Sequence, residues 1–98
     1  MKFSVKTNEP PLRLGRVLGY KLLSSNNNEY NLVRSLAGNN YPRFHIYVRQ
    51  ERNELIFNLH LDQKKPSYEG TTAHSGEYDG ELVEREAERI RKELNRMR

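Results

Sequence analysis

The stretch FHIYVRQERNELIFNLHLD, from Phe44 to Asp62, decides the fold of this chain. Apolar and polar residues alternate in both of its halves, which is the two-residue period of a half-buried β-strand. Arg52 and Asn53 lie between the halves, and asparagine tolerates the positive φ that tight hairpin turns require. The stretch therefore predicts a β-hairpin in which Glu51 pairs with Glu54 and paired residue numbers sum to 105.

This register separates an apolar face of the hairpin from a polar one, and a shift of one residue would exchange the two faces. Directly opposed side chains lie roughly 4.5–5.5 Å apart at Cβ. The apolar face carries the pairs Val48 and Phe57, Ile46 and Leu59, and Phe44 and Leu61. The polar face carries the pairs His45 and His60, and Tyr47 and Asn58, with Arg49 further along. The two imidazoles are therefore expected to be close enough to share a proton, a metal ion or an anion.

The length and composition describe one small domain, residues 1–98. With 35% hydrophobic and 31% charged residues, the chain can bury only a modest core. It has no cysteine, which excludes a disulfide framework and a thiolate nucleophile and is typical of a reducing compartment. No apolar run approaches the ~20 residues of a membrane span. We expect a cytoplasmic protein without a membrane partner.

The charge of the chain is basic and unevenly distributed. Residues 1–60 contain nine Lys or Arg and four Asp or Glu, a balance of +5. Residues 61–80 contain two Lys and four acidic residues, a balance of −2, and the net charge of the whole chain is +4. The half that contains the predicted strands is therefore the basic half. Such an excess permits binding to nucleic acid or another polyanion without requiring it.

The residues before the hairpin are expected to begin with a flexible end. Residues 1–11 close with two prolines, which break regular structure, and the low hydrophobicity of the chain leaves room for disordered ends. From Leu12 to Leu22 the apolar residues alternate, which predicts a strand bent at Gly15 or Gly19.

Residues 29–37 fit two kinds of element. Their apolar residues alternate, which favours a strand that returns along the previous one. The same residues also fit one face of a helix with Asn28 as its N-cap and Gly38 as its C-cap. We choose the strand, because short polar turns on both sides favour a meander.

The C-terminal part changes from an irregular segment to a helix. Residues 63–80 contain no Leu, Ile, Val, Phe or Met, which indicates a long loop that is either functional or mobile. From Glu81 the apolar residues follow a helical period, which predicts a helix over residues 81–96 with Asp79 as its N-cap. Its apolar stripe contains Val83, Ala87, Ile90, Leu94 and Met97. The predicted fold is α+β, an antiparallel meander of about four strands with one C-terminal helix packed on the apolar face.

The most specific hypotheses about the chemistry of this chain concern its three histidines. His60 lies beside Asp62 at the start of the long loop, and His74 lies near Glu77 at its end. If the loop folds back over the polar face, His74 or Glu77 would reach the pair of His45 and His60. Imidazoles with a carboxylate suit zinc, nickel or iron. His45, His60 and Glu77, with Arg49 or Lys64 as the cation, would also suit acid–base catalysis in a metal-independent ribonuclease.

A non-catalytic binding face is the interpretation that the residue types favour. Sheets that bind single-stranded RNA combine stackable rings with a basic rim, and Tyr47 and Arg49 provide both. We therefore expect a binding domain, without a cofactor, that contacts RNA or another polyanion through the polar face of hairpin 44–62 and loop 63–80. An acidic loop with tyrosines also fits a protein–protein interaction module. The predicted binding residues are His45, Tyr47, Arg49, Asn58, His60, Asp62, Lys64, Lys65, Tyr68, His74, Glu77 and Tyr78.

The run HLDQKKPSYEGTTAHSGEYDGELVEREAERI, residues 60–90, resembles a family of short uncharacterised bacterial proteins. The shared pattern is H-L-D-x-K-x-P-S-Y followed by A-H-S-G-E-Y-D-G. The resemblance implies that these residues form a specific structure, but it carries no fold, activity or ligand. The residues concerned are Asp62, Lys65, Tyr68, His74, Glu77 and Tyr78.

Overall fold

The described part of the chain is one sheet with two helices on the same face. The computed structural model describes residues 1–63, 76–77 and 80–97, and for residues 76–77 the backbone alone. The predicted α+β class is confirmed, with five strands and a two-residue sixth in place of about four. In chain order the elements are β1 (Lys2–Lys6), α1 (Pro11–Leu18), β2 (Lys21–Asn26), β3 (Glu29–Ser35), β4 (Arg43–Glu51), β5 (Glu54–Asp62), β6 (Gly76–Glu77) and α2 (Glu81–Arg96).

The sheet is antiparallel, in the order β1-β5-β4-β3-β2, and β6 pairs with the end of β5. β4 and β5 form the predicted hairpin in the predicted register, from Arg43 opposite Asp62 to Glu51 opposite Glu54. Asn53 takes the expected positive φ, 60°, in the turn. The hairpin therefore occupies the centre of the sheet, where a further strand pairs with each of its outer edges.

The helices and the apolar face of the sheet enclose the core. The inward residues of the hairpin, among them Val48, Phe57 and Leu59, are fully buried. The predicted packing of α2 on this face is confirmed, because its stripe of Val83, Ala87, Ile90 and Leu94 is buried in the same cluster. A burial of this kind stabilises the fold by roughly 1.5–3 kcal/mol for each large aliphatic side chain.

The helix α2 spans the predicted range, Glu81–Arg96, but its N-cap lies one residue after the predicted one. Its N-cap is Gly80, with a φ of 127°, so the prediction of Asp79 as N-cap is wrong. Glycine suits the position because it has no Cβ to oppose that backbone conformation. Across the described ranges, neither helix combines the length and the apolar character that crossing a bilayer requires.

The prediction of a bent strand over Leu12–Leu22 is wrong, because Pro11–Leu18 form the helix α1. A proline at the first position of a helix has a suitable φ and lacks an N–H that would be left without a helical partner. Leu14 and Leu18 lie one turn apart, and both are buried against the sheet. Gly19 ends the helix in the left-handed region, with a φ of 84°, and its N–H bonds to the carbonyl of the preceding turn.

Two further strands of the sheet can be compared with the predictions from the sequence. The choice of a strand for residues 29–37 is confirmed by β3, Glu29–Ser35. Lys2–Lys6, expected to be flexible, form the edge strand β1 beside β5. The ring of Phe3 stacks on that of Phe57 with centroids 4.9 Å apart, so β1 is held by packing as well as by the sheet.

One buried carboxylate joins both helices to the sheet. Glu86 of α2 is 3% exposed and accepts hydrogen bonds from Tyr20, Arg34 and Arg89. Arg89 also donates to the backbone carbonyl of Leu18 at 2.7 Å. Burial opposes the charge of Glu86, but the hydrogen bonds from Arg89, Arg34 and Tyr20 hold its pKa below its ordinary value. The network therefore keeps a buried charge compensated where α1, α2 and β3 meet.

Candidate functional site

The face of the sheet away from the helices is polar, and the strand registers arrange its side chains in rows. Directly opposed residues of antiparallel strands point to the same face, and so do residues two apart on one strand. One row runs across the sheet from Lys2 through Asn58 and Tyr47 to Asn31. The next row contains His60 and His45, and the row after it contains Asp62 and Arg43. The predicted pairing of His45 with His60 is therefore confirmed.

His45, His60 and Asp62 form a close group on this face, the histidine cluster. The two imidazole rings have centroids 4.6 Å apart. The carboxylate of Asp62 bonds both rings: Oδ2 lies 3.2 Å from Nδ1 of His45, and Oδ1 lies 3.0 Å from Nε2 of His60. One possible ligand atom from each of the three residues lies within 4.8 Å of the others.

Asn31 and Arg43 contact the histidine cluster from its sides. Oδ1 of Asn31 faces Nε2 of His45, the ring nitrogen that does not bond Asp62. The amide nitrogen of Asn31 donates to Oγ of Ser24 at 3.4 Å, which orients the amide. Nε of Arg43 lies 3.5 Å from Oδ2 of Asp62 and compensates the charge of the carboxylate.

The histidine cluster is closed to large molecules. His45 is 8% exposed and His60 is 7% exposed. The ring of Tyr47 covers one side of the cluster, with its centroid 4.7 Å from that of His45 and 5.9 Å from that of His60. Burial lowers the pKa of both imidazoles below the ordinary value, although the charge of Asp62 acts in the opposite direction. Both rings therefore favour the neutral form near pH 7.

The chemistry open to the histidine cluster follows from its donor set. Two imidazole nitrogens and one carboxylate suit zinc and other divalent transition metals. Acid–base catalysis needs imidazoles that can reach a substrate, whereas both imidazoles of the cluster are hydrogen-bonded to the carboxylate of Asp62. Catalysis by a metal-independent ribonuclease stays a prediction.

An open groove lies beside the histidine cluster on the same face, and we call it the polar groove. Its volume is about 290 Å³. Tyr47 belongs to both sites, since its ring contacts the cluster and also lines the groove. The residues that line the polar groove are Lys2, Glu29, Tyr47, Arg49, Ile56, Phe57 and Asn58.

The structure divides the predicted binding residues into four groups. His45, His60 and Asp62 meet in the histidine cluster, and Tyr47, Arg49 and Asn58 line the polar groove. The backbone of Glu77 pairs with Leu61 at the end of β5. Five predicted residues lie outside the described residues, namely Lys64, Lys65, Tyr68, His74 and Tyr78. The predicted approach of His74 or Glu77 to the histidine pair stays a prediction.

Several residues of the two sites, among them Asn31 and Lys2, were missed in the sequence analysis. Asn31 reaches the histidine cluster because β3 pairs with β4 in a register that places it beside Tyr47. Lys2 reaches the polar groove because β1 pairs with β5. The alternation of Lys2–Lys6 was the signal for a strand, but nothing local indicates which strand it would join.

Comparison of the chain with protein-family models, with curated proteins and with solved structures finds no match.

Proposed function

We propose that this protein is a small non-catalytic binding domain for single-stranded RNA, or for a polyanion of similar charge, and that the polar groove receives the ligand. The observation that carries the proposal is the meeting of two cations, an aromatic ring and an amide in one open groove, at Lys2, Arg49, Tyr47 and Asn58. A cytoplasmic location, which the cysteine-free sequence supports, would suit this role.

The cations of the polar groove are available to phosphates. Lys2 is exposed at the edge of the sheet, and the side chain of Arg49 is 53% exposed. Arg49 pairs with Glu51 at 3.3 Å, but both side chains are solvated. Exposed pairs of this kind contribute at most about 1 kcal/mol, so a phosphate can replace the carboxylate at little cost.

The remaining groups of the polar groove suit a nucleotide base. A base can stack on the ring of Tyr47, since such stacking tolerates any sequence. The amide of Asn58 can bond the edge of a base, and the carboxylate of Glu29 can accept a hydrogen bond from an exocyclic amino group. The same carboxylate weakens binding to phosphate, which favours a ligand that places a base near Glu29 and its phosphates near Lys2 and Arg49.

Fluorescence anisotropy with a labelled single-stranded RNA of about ten nucleotides tests the proposal over a range of salt concentrations. The double variant Lys2→Gln with Arg49→Gln should bind more weakly and should reduce the salt slope by roughly 1.4, since each phosphate contact contributes about 0.7 for single strands. Tyr47→Leu should weaken binding about tenfold at all salt concentrations because a stacking surface is lost.

The matched control is the double variant Arg85→Gln with Lys92→Gln on the outer side of α2, which removes the same charge away from the groove. It should keep the salt slope of the unmodified chain. Equal weakening by both double variants would mean that binding follows net charge alone. RNA binding that survives the groove variants unchanged would place the site elsewhere on the protein.

A further inference from the structure

We propose that the histidine cluster binds one divalent transition-metal ion through Nδ1 of His45, Nε2 of His60 and a carboxylate oxygen of Asp62. These three residues are not the ones that would hold RNA in the polar groove, so the proposal holds whether or not the groove binds RNA. Three protein ligands leave at least one coordination position open on a four-coordinate ion, for water or another ligand.

Two distances within the histidine cluster match those between the ligands of a bound metal ion. Ligands of a tetrahedral ion with bonds of about 2.0–2.1 Å lie about 3.3 Å from one another. The distances from Asp62 to His45 and to His60 are 3.2 Å and 3.0 Å. These distances run to different oxygens of the carboxylate, Oδ2 and Oδ1, and one donor atom of each residue lies within 4.8 Å of the others. Rotation of the side chains can therefore bring the three donors around one ion.

The hydrogen bonding of His45 supports the same assignment. A neutral imidazole has one N–H, whereas His45 faces an acceptor at each ring nitrogen, Asp62 at Nδ1 and Asn31 at Nε2. With a metal ion on Nδ1, the single proton lies on Nε2 and is donated to Asn31. Histidines that bind metals commonly donate their other ring nitrogen to an oxygen in this way. Ser24 accepts from the amide of Asn31 and so keeps that oxygen directed at the ring.

The scaffold of the histidine cluster suits an ion better than a larger ligand. All three side chains project from the central hairpin, β4 and β5, whose register is fixed on both sides by other strands. Donors held on neighbouring strands keep their geometry when the site is empty, which lowers the cost of binding. The low exposure of both imidazoles excludes a nucleotide but admits an ion.

The guanidinium of Arg43 would repel a bound metal ion, and this repulsion gives the proposal a second test. Its Nε lies 3.5 Å from Oδ2 of Asp62, so a guanidinium stands beside a proposed ligand. In a metal-free protein this charge stabilises the carboxylate. When an ion is bound, the same charge repels it, so removal of Arg43 should strengthen metal binding while it weakens a cluster held by hydrogen bonds alone.

Titration of the full chain, freed of metal with EDTA and then dialysed, tests the proposal. Calorimetry with Zn²⁺ should show one site per chain, and Co²⁺ should give the visible absorption of a site with nitrogen ligands. His60→Ala and Asp62→Asn should each weaken zinc binding more than about 100-fold. Even the loss of a residue that only hydrogen-bonds a metal ligand lowers metal affinity by about 10- to 100-fold. The control Glu51→Gln, which removes an exposed carboxylate of the same face, should bind zinc like the unmodified chain.

The variant Arg43→Gln provides a second test that does not depend on the stability of the ligand variants. It should bind zinc about tenfold more tightly, because one nearby positive charge is removed. Zinc at about 100 times its Kd should also raise the Tm of the unmodified chain by roughly 10 °C or more. The proposal is overturned by an absence of saturable zinc binding, by ligand variants that bind as tightly as the unmodified chain, or by weaker binding in Arg43→Gln.

Discussion

Nε2 of His60 lies 3.0 Å from Oδ1 of Asp62, two residues further along the same strand. The carboxylate also bonds His45 and Arg43, so three side chains depend on it. Asp62→Ala should therefore lower the free energy of unfolding of the metal-free protein by roughly 2–3 kcal/mol, because buried donors lose their acceptor. Urea denaturation measures this change.

The control for that variant is Glu51→Ala, which removes a carboxylate from an exposed ion pair on the same face. It should change the free energy of unfolding by less than about 0.5 kcal/mol. If Asp62→Ala were as stable as the control, the carboxylate would not hold the cluster together.

A second prediction concerns Asn31, whose Oδ1 faces Nε2 of His45. Asn31→Ala should weaken zinc binding about tenfold, because the ligating imidazole loses the acceptor that fixes its tautomer and orientation. Calorimetry measures the change, and Asn26→Ala on the exposed edge strand β2 is the control. Unchanged zinc affinity in Asn31→Ala would show that the asparagine has no part in orienting the ring.

The parts of the site that could be predicted from sequence depend on local patterns. The pairing of His45 with His60 follows from one hairpin whose turn and alternation are read within 19 residues, Phe44 to Asp62. The contribution of Asp62 follows from its spacing of two from His60 on a strand. Asn31 and Lys2 could not be placed in the same way, because the registers of β3 with β4 and of β1 with β5 join distant segments.

The error at α1 has a similar physical origin. Leu14 and Leu18 fit a strand face as well as a helix face, since their spacing of four is a multiple of two and also close to one helical turn. The signals that distinguish the two are Pro11 at the first position and Gly19 just after the last. Those two residues favour a helix of this length, and the exposure of the intervening Val17 agrees with one.

A third prediction concerns the hydroxyl of Tyr20, which donates a 2.5 Å hydrogen bond to Oε2 of Glu86. Burial, followed by the charge of Glu86, raises the pKa of Tyr20 above its ordinary value, so the hydroxyl stays protonated and remains a donor. Tyr20→Phe keeps the buried ring and removes this bond alone. It should lower the free energy of unfolding by roughly 1.5–3 kcal/mol, the value for a hydrogen bond to a charged group.

The control for Tyr20→Phe is Tyr41→Phe, since Tyr41 lies in the loop between β3 and β4 and is only half-buried. Urea denaturation of both variants should show a large effect for Tyr20 and a small one for Tyr41. Equal effects of the two substitutions would mean that the hydroxyl of Tyr20 contributes no more than that of a tyrosine outside the network.

The last prediction is a pH dependence of stability that comes from Glu86. Hydrogen bonds from Arg89, Arg34 and Tyr20 outweigh burial and hold the pKa of this carboxyl below the 4.5 of an unperturbed glutamate. A carboxyl whose pKa is lowered in the folded state contributes its full stability above its unfolded-state pKa and loses it as the pH falls through its folded-state pKa.

At pH 7, Glu86→Gln should therefore be less stable than the unmodified chain by roughly 3 kcal/mol, because two arginines lose their partner. When the pH is lowered below 4.5, the difference between the two proteins should shrink, since the unmodified chain protonates the group that the variant lacks. Urea denaturation across this range measures both curves, and a difference that stays constant as the pH falls would show that the charge of Glu86 does not carry the stabilisation.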